Sequence, residues 1–105
     1  MSFDISAGAR QDAANAVRAY NRKPGRYGSA FQAEFNRAAV AVAAQPRLYP
    51  LVEDGVPGLE IREFFIKRFK QRVIYLVSGE DVLVVAVVHA DGPEGAWHRN
   101  LPPST

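Results

Sequence analysis

Seven apolar residues in a row, Val82 to Val88, run into His89, and this stretch constrains the fold more than any other. A strand that alternates apolar and polar residues can lie with one face in water. A strand that is apolar on both faces needs cover on both, and belongs in the interior of a sheet. The chain has 105 residues and is 48% hydrophobic, which suits one domain, residues 1–105, with one core. Just before the run, "SGED" (78–81) places Gly79 in a two-residue turn, the signature of a tight β-hairpin.

The preceding partner strand is "RFKQRVIYLV". Here Phe69, Val73, Tyr75 and Val77 share one face, and Lys70, Arg72, Ile74 and Leu76 share the other. Leu59 and Ile61 alternate with Glu60 and Arg62, which predicts one more strand upstream. The last part of the chain is therefore expected to form a three-strand antiparallel meander.

The first half has a different period. A short strand is predicted over 2–6, with Phe3 and Ile5 alternating and Ser6 as the N-cap of the helix after it. Ala9, Ala13, Ala16, Val17 and Tyr20 form one helical stripe over 7–22. Pro24 and Gly25 stop that helix. A second helix is predicted from Tyr27 to Ala44 on the stripe Tyr27, Phe31, Phe35, Ala38, Val42. The loop 45–58 holds three prolines and two glycines and separates the two halves. The resulting order is strand, helix, helix, strand, strand, strand. This predicts an α+β domain in which an N-terminal strand and a helical hairpin pack on an antiparallel sheet, with Phe31, Phe35, Tyr75 and Val85 in the core. The opposite face, carrying Lys70 and Arg72, is expected to be open and basic.

Several chemistries are excluded by residue type. There is no cysteine, so disulfides and thiolate sites are absent. His89 and His98 stand nine residues apart, outside the usual zinc-ligand spacings, and neither a metal nor a cofactor is expected. No serine lies in a GxSxG context, and no GxxxxGK phosphate loop is present. No apolar run approaches the roughly 18 to 20 residues of a membrane span. The start "MSFDISAGAR" lacks the apolar core of a signal peptide, so a cytoplasmic protein is expected. What is left is a basic constellation: Arg62, Lys67, Arg68, Lys70, Arg72, His89, His98 and Arg99. Arginines bind phosphate bidentately, and His89 with Arg72 is the weak candidate for acid–base cleavage of RNA. The plain alternative for His89 is to end its strand and donate to a turn carbonyl. For Trp97, the only tryptophan, it is to pack the C-terminal tail onto the sheet.

Taken together, the order of elements, the "QPRLYP" loop, the Arg62 strand, the "RFKQRVIY" strand and "VLVVAVVH" followed eight residues on by Trp97 resemble the RelE/ParE superfamily of bacterial toxins. The resemblance runs from the first helix to Arg99. It is nearer to the ParE-like branch, whose members commonly carry Phe-Pro-Tyr where this chain has Phe69-Lys70-Gln71, and an arginine pair where it has Gly92-Pro93. The resemblance implies the toxin of a type II toxin–antitoxin or plasmid-stabilisation module. Such a protein would act by binding a target such as DNA gyrase and be neutralised by a cognate antitoxin. The alternatives it implies are a RelE-like ribosome-dependent mRNA endoribonuclease, and a toxin-fold relic that only binds an antitoxin. The residues expected to meet a partner are Arg62, Arg68, Lys70, Arg72, His89, Trp97 and Arg99. Losing arginines at Gly92-Pro93 removes phosphate contacts, which favours binding over cleavage.

Overall fold

In a computed structural model, residues 2–102 are described. The chain runs through β1 (Phe3–Ile5), α1 (Ala7–Asn21), α2 (Gly28–Ala44), β2 (Glu60–Ile66), β3 (Gln71–Ser78), β4 (Asp81–His89) and a short 3-10 helix, Ala96–Asn100. The strands form one sheet in the order β1-β4-β3-β2. β2, β3 and β4 make the expected antiparallel meander, and β1 adds to β4 in parallel, so the sheet is mixed. Gly79 has φ +59, the positive value that a two-residue hairpin needs at its first central position, and a side chain there would be strained.

α1 starts where Ser6 accepts from the Ala9 amide at 3.1 Å, the side-chain cap that its type predicts. Ala9 and Ala13 let α1 lie close on the sheet, and Phe31, Phe35, Ala38 and Val42 of α2 bury beside them against Val73, Tyr75 and Val77. Tyr27 departs from expectation. It is the residue before α2 rather than part of its stripe, and it is 46% exposed.

The run 82–88 meets cover on both faces, and a bulge in β4 sets which residues turn to which. Ile74 pairs with Ala86 but Tyr75 pairs with Val84, which leaves Val85 as the extra residue. Alternation therefore slips by one. Val82, Val84 and Val87 face the helices, whereas the neighbours Val85 and Ala86 both face away. Downstream of the bulge, the Val87 amide donates to the Asp12 carboxylate of α1 at 3.1 Å. All four residues expected in the core are buried, but Val85 lies in a second core on the far face.

That far face corrects the expectation of an open, basic surface. Ile61, Ile74, Val85 and Ala86 are covered by Trp97, with Val52, Val56 and Leu101 around them. The proline-rich loop supplies part of this cover. Its residues 50–52 line the outer edge of β2, with Val52 N to Ile61 O and Glu63 N to Pro50 O both at 3.0 Å. β1 covers β4 only as far as Val84, and the C-terminal segment wraps the exposed remainder of that edge. Trp97 turns to the far face, while Asn100 reaches Asp12 of α1 at 2.9 Å. Apolar residues on both faces of β4 thus need two covers, and the tail is the second.

Tyr75 ties the loop to the helical side. Its hydroxyl donates to the Pro46 carbonyl at 2.6 Å, and burial pushes its pKa up to about 12. Tyr75→Phe is expected to cost about 1 to 3 kcal/mol in urea denaturation, because the Pro46 carbonyl loses its partner. The raised pKa also sets a direction. The phenol's contribution is full below the unfolded value near ~10 and fades as pH rises toward the folded value. A cost below about 0.5 kcal/mol would show that the loop tolerates the loss.

Candidate functional site

The most densely bonded group on the far face is one that sequence reasoning missed, Asp54 in the proline-rich loop. Its carboxylate accepts from both terminal nitrogens of Arg72, at 2.8 and 3.2 Å. It also accepts from the Gly95 amide at 3.0 Å and the Trp97 indole Nε1–H at 2.9 Å. The Arg72 hydrogen bonds, aided by those from Trp97 and Gly95, outweigh burial and hold this carboxyl well below the usual range. The Asp54 backbone carbonyl takes His98 Nε2 at 2.7 Å, and since a carbonyl only accepts, that nitrogen carries the proton. The His98 ring stands edge-on to Trp97, with centroids 4.3 Å apart.

Arg72 is thereby committed. Its third nitrogen, Nε, donates to Glu63 across the β2–β3 pair. All three guanidinium nitrogens are held by carboxylates, and those bonds, Asp54 foremost, hold its pKa above the ordinary arginine value. Beside it opens a cleft of about 490 Å3, bordered by Glu53, Asp54, Glu63, Arg72 and Glu94. Four carboxylates against one neutralised arginine make a poor seat for a phosphate.

The other predicted site residues are not gathered here. Arg62 lies on the helical side of the sheet, at the outer edge of β2. It donates to Glu60 at 2.8 Å and to the Tyr49 carbonyl at 2.7 Å. Glu60 is shared with Arg47, and hydrogen bonds from Arg47 and then Arg62 lower its pKa. His89 pairs with Gln71, whose side chain reaches Tyr20 of α1 at 3.0 Å, so the register turns His89 toward the helical side and away from Arg72. The candidate acid–base pair is thus split across the sheet. His89 does serve the turn, but as an acceptor, taking the Asp91 amide on Nδ1 at 3.1 Å. Arg99 projects from the tail, 62% exposed and 3.8 Å from Asp12. Trp97 is fully buried. Arg68 and Lys70 lie on the exposed β2–β3 turn, at the end of the molecule where α1 meets α2.

Among the described residues, no three His, Asp or Glu side chains converge on a point that could hold a metal. No helix among them is long and apolar enough to cross a membrane. Asp54 was unrecognised because nothing local marks it. Its partners are 18, 41 and 43 residues away.

A helical hairpin and N-terminal strand on an antiparallel meander, closed on the far side by a tryptophan tail, define a small α+β class. Among solved structures, the fold is similar to a chain of the chromosomal ParDE TA system from P. aeruginosa. The TM-score is 0.70 at 16% identity, over 87% of this chain and 97% of that one. It is also similar to the isolated RelE toxin of E. coli, with a TM-score of 0.60 at 22% identity over 88% of this chain and 86% of that one. No protein-family model and no curated protein matches the sequence. The chain shares the fold of these two structures.

Proposed function

We propose that this protein is the toxin of a type II toxin–antitoxin module and that it acts by binding a protein target, in the manner of the ParE-like branch, rather than by cutting RNA. The observation that carries this reading is the state of Arg72. A cleaving site needs cations free to take up the charge that grows on the phosphate. Here the one arginine of the far-face cleft is saturated by Asp54 and Glu63, and the cleft is lined by further acids. His89, the imidazole on which acid–base catalysis would fall, lies toward the other side of the sheet. The chain Gly92-Pro93 adds no cation to the cleft. A DNA gyrase target and a neutralising antitoxin are the extensions that the sequence resemblance to the ParE-like branch implies.

Expression of the chain alone in bacteria tests this. The expected result is arrested growth with DNA breaks and intact mRNA. Purified protein added to translating ribosomes is expected to leave the message uncut. Message cleavage that Arg72→Ala abolishes, with the fold intact, would replace this reading with the endoribonuclease one. Unimpeded growth would leave a fold that binds an antitoxin without poisoning the cell.

A further inference from the structure

Six of the thirteen lysines and arginines sit on two short turns, Arg22, Lys23 and Arg26 between α1 and α2, and Lys67, Arg68 and Lys70 between β2 and β3. All six are exposed, and neither stretch contains an acid. None of the six enters an ion pair among the described residues, whereas Arg37, Arg47, Arg62, Arg72 and Arg99 all do; Arg10 and Arg18 of α1 also have none, but hydrogen-bond to the Ile5 carbonyl and Asn15. The Lys70 carbonyl accepts from the Ala90 amide just past β4; the next residue, Asp91, is an acid, and its carboxylate is 3.9 Å from His89.

The fold brings the two turns together. Tyr20 at the end of α1 donates to the Phe69 carbonyl at 3.3 Å and packs on the Phe69 ring, with centroids 4.8 Å apart. An open groove of about 530 Å3 lies between them, lined by Tyr20, Lys23, Pro24, Tyr27, Arg68 and Phe69. The Arg68 guanidinium stands 5.9 Å from the Tyr27 ring centre and 5.2 Å from that of Phe69. Arg26 and Lys70 hold left-handed backbone, with φ 47 and 53, a conformation that side-chain-bearing residues rarely adopt. One cation on each turn is therefore presented from a strained backbone, a feature that clusters where chains bind ligands.

We infer that this end of the molecule binds single-stranded nucleic acid, with the phosphates on the cations of the two turns and a base on the exposed Tyr27 ring. Aromatic rings in an unpaired basic groove are the chemistry that binds such strands without reading their sequence. Arg22, Arg26, Lys67 and Lys70 lie outside the groove lining, so positive charge extends past the space that one nucleotide fills. That favours a strand over a mononucleotide. The inference is independent of the proposed toxin activity, because it uses the helical-hairpin end and not the far-face cleft.

The test is fluorescence anisotropy of labelled oligothymidylate and oligouridylate, about twelve nucleotides long, a length within the range that such grooves occupy. Binding to the full chain at low salt is expected. Its affinity should fall on the order of 10²-fold between 50 and 200 mM salt if about six phosphates are engaged. Arg68→Glu and Lys23→Glu should each weaken it, and together nearly abolish it. Tyr27→Ala should cost about tenfold through lost stacking. Arg37→Glu makes the same charge change on α2, away from the groove, and should leave affinity close to that of the parent chain. Trp97 is buried in the far-face core, so its emission checks each variant's fold independently. Absence of binding at low salt would overturn the inference. So would equal weakening by Arg37→Glu and Arg68→Glu, or uridine monophosphate binding as tightly as the strand. Full competition by poly-glutamate at equal charge would reassign the surface to an acidic protein.

Discussion

Asp54→Ala is expected to lower the free energy of unfolding by about 3 to 5 kcal/mol, the cost of breaking a buried ion pair from one side. The Asp54 side chain is 7% exposed and that of Arg72 17%, so neither charge is well served by water. Removing the carboxylate leaves the Arg72 guanidinium with Glu63 alone, and strands the Trp97 indole N–H and the Gly95 amide. Urea denaturation measures the loss. A cost under about 1 kcal/mol would mean that water replaces the carboxylate freely. Acid should reproduce the effect without mutation. The folded pKa of Asp54 is depressed, so its stabilisation is full above the unfolded carboxylate value near ~4 and is lost as pH falls below that. The parent chain should therefore lose stability as pH is lowered through this range by more than Asp54→Ala does.

Trp97→Ala is the second large effect, at about 3 to 5 kcal/mol. The side chain is fully buried and is the largest residue in the far-face core, so its removal uncovers Ile61, Ile74, Val85 and Ala86 together. Emission of the parent chain should be blue-shifted and resist iodide. Trp97→Phe should cost less, since it keeps much of the cover and loses only part of the volume and the bond to Asp54. The double variant Asp54→Ala/Trp97→Ala should fall short of the sum of the singles, by about 0.5 to 3 kcal/mol, because the two share one contact. Full additivity would show that the indole–carboxylate bond contributes nothing to stability.

These two residues mark where sequence reading succeeds and where it stops. Burial of Trp97 is legible, since a lone large ring after an apolar strand has little else to do. Its partner is not, because Asp54 sits 43 residues earlier in a loop with no periodicity. The helical stripes, the Gly79 hairpin and the Ser6 cap were all readable, as each rests on contacts within a few residues. Tyr27 fits the stripe by spacing, yet it precedes the helix because the chain is still turning out of Gly25. Arg62 and Arg72 look alike along the chain as outward cations. In the fold one is held by Glu60 and the Tyr49 carbonyl, and the other by Asp54 and Glu63, on opposite faces of the sheet.

By itself the sequence determined the periodic part of this protein: a short N-terminal strand, two helices and three antiparallel strands, the last of which must be covered on both faces. Periodicity is a local property, set by which side chains a helix or strand turns to one side. Only the tertiary structure decided that the proline-rich loop joins the Trp97 tail over the second face, and which cations remain free. Charge pairing depends on which loops become neighbours, and that is settled by packing between distant segments. The β4 bulge placed Val85 and Ala86 side by side, the tail and the proline-rich loop closed over them, and Asp54 was carried onto Arg72. The same packing left the cations of the two turns beside Tyr20 and Phe69 without an acid to meet them.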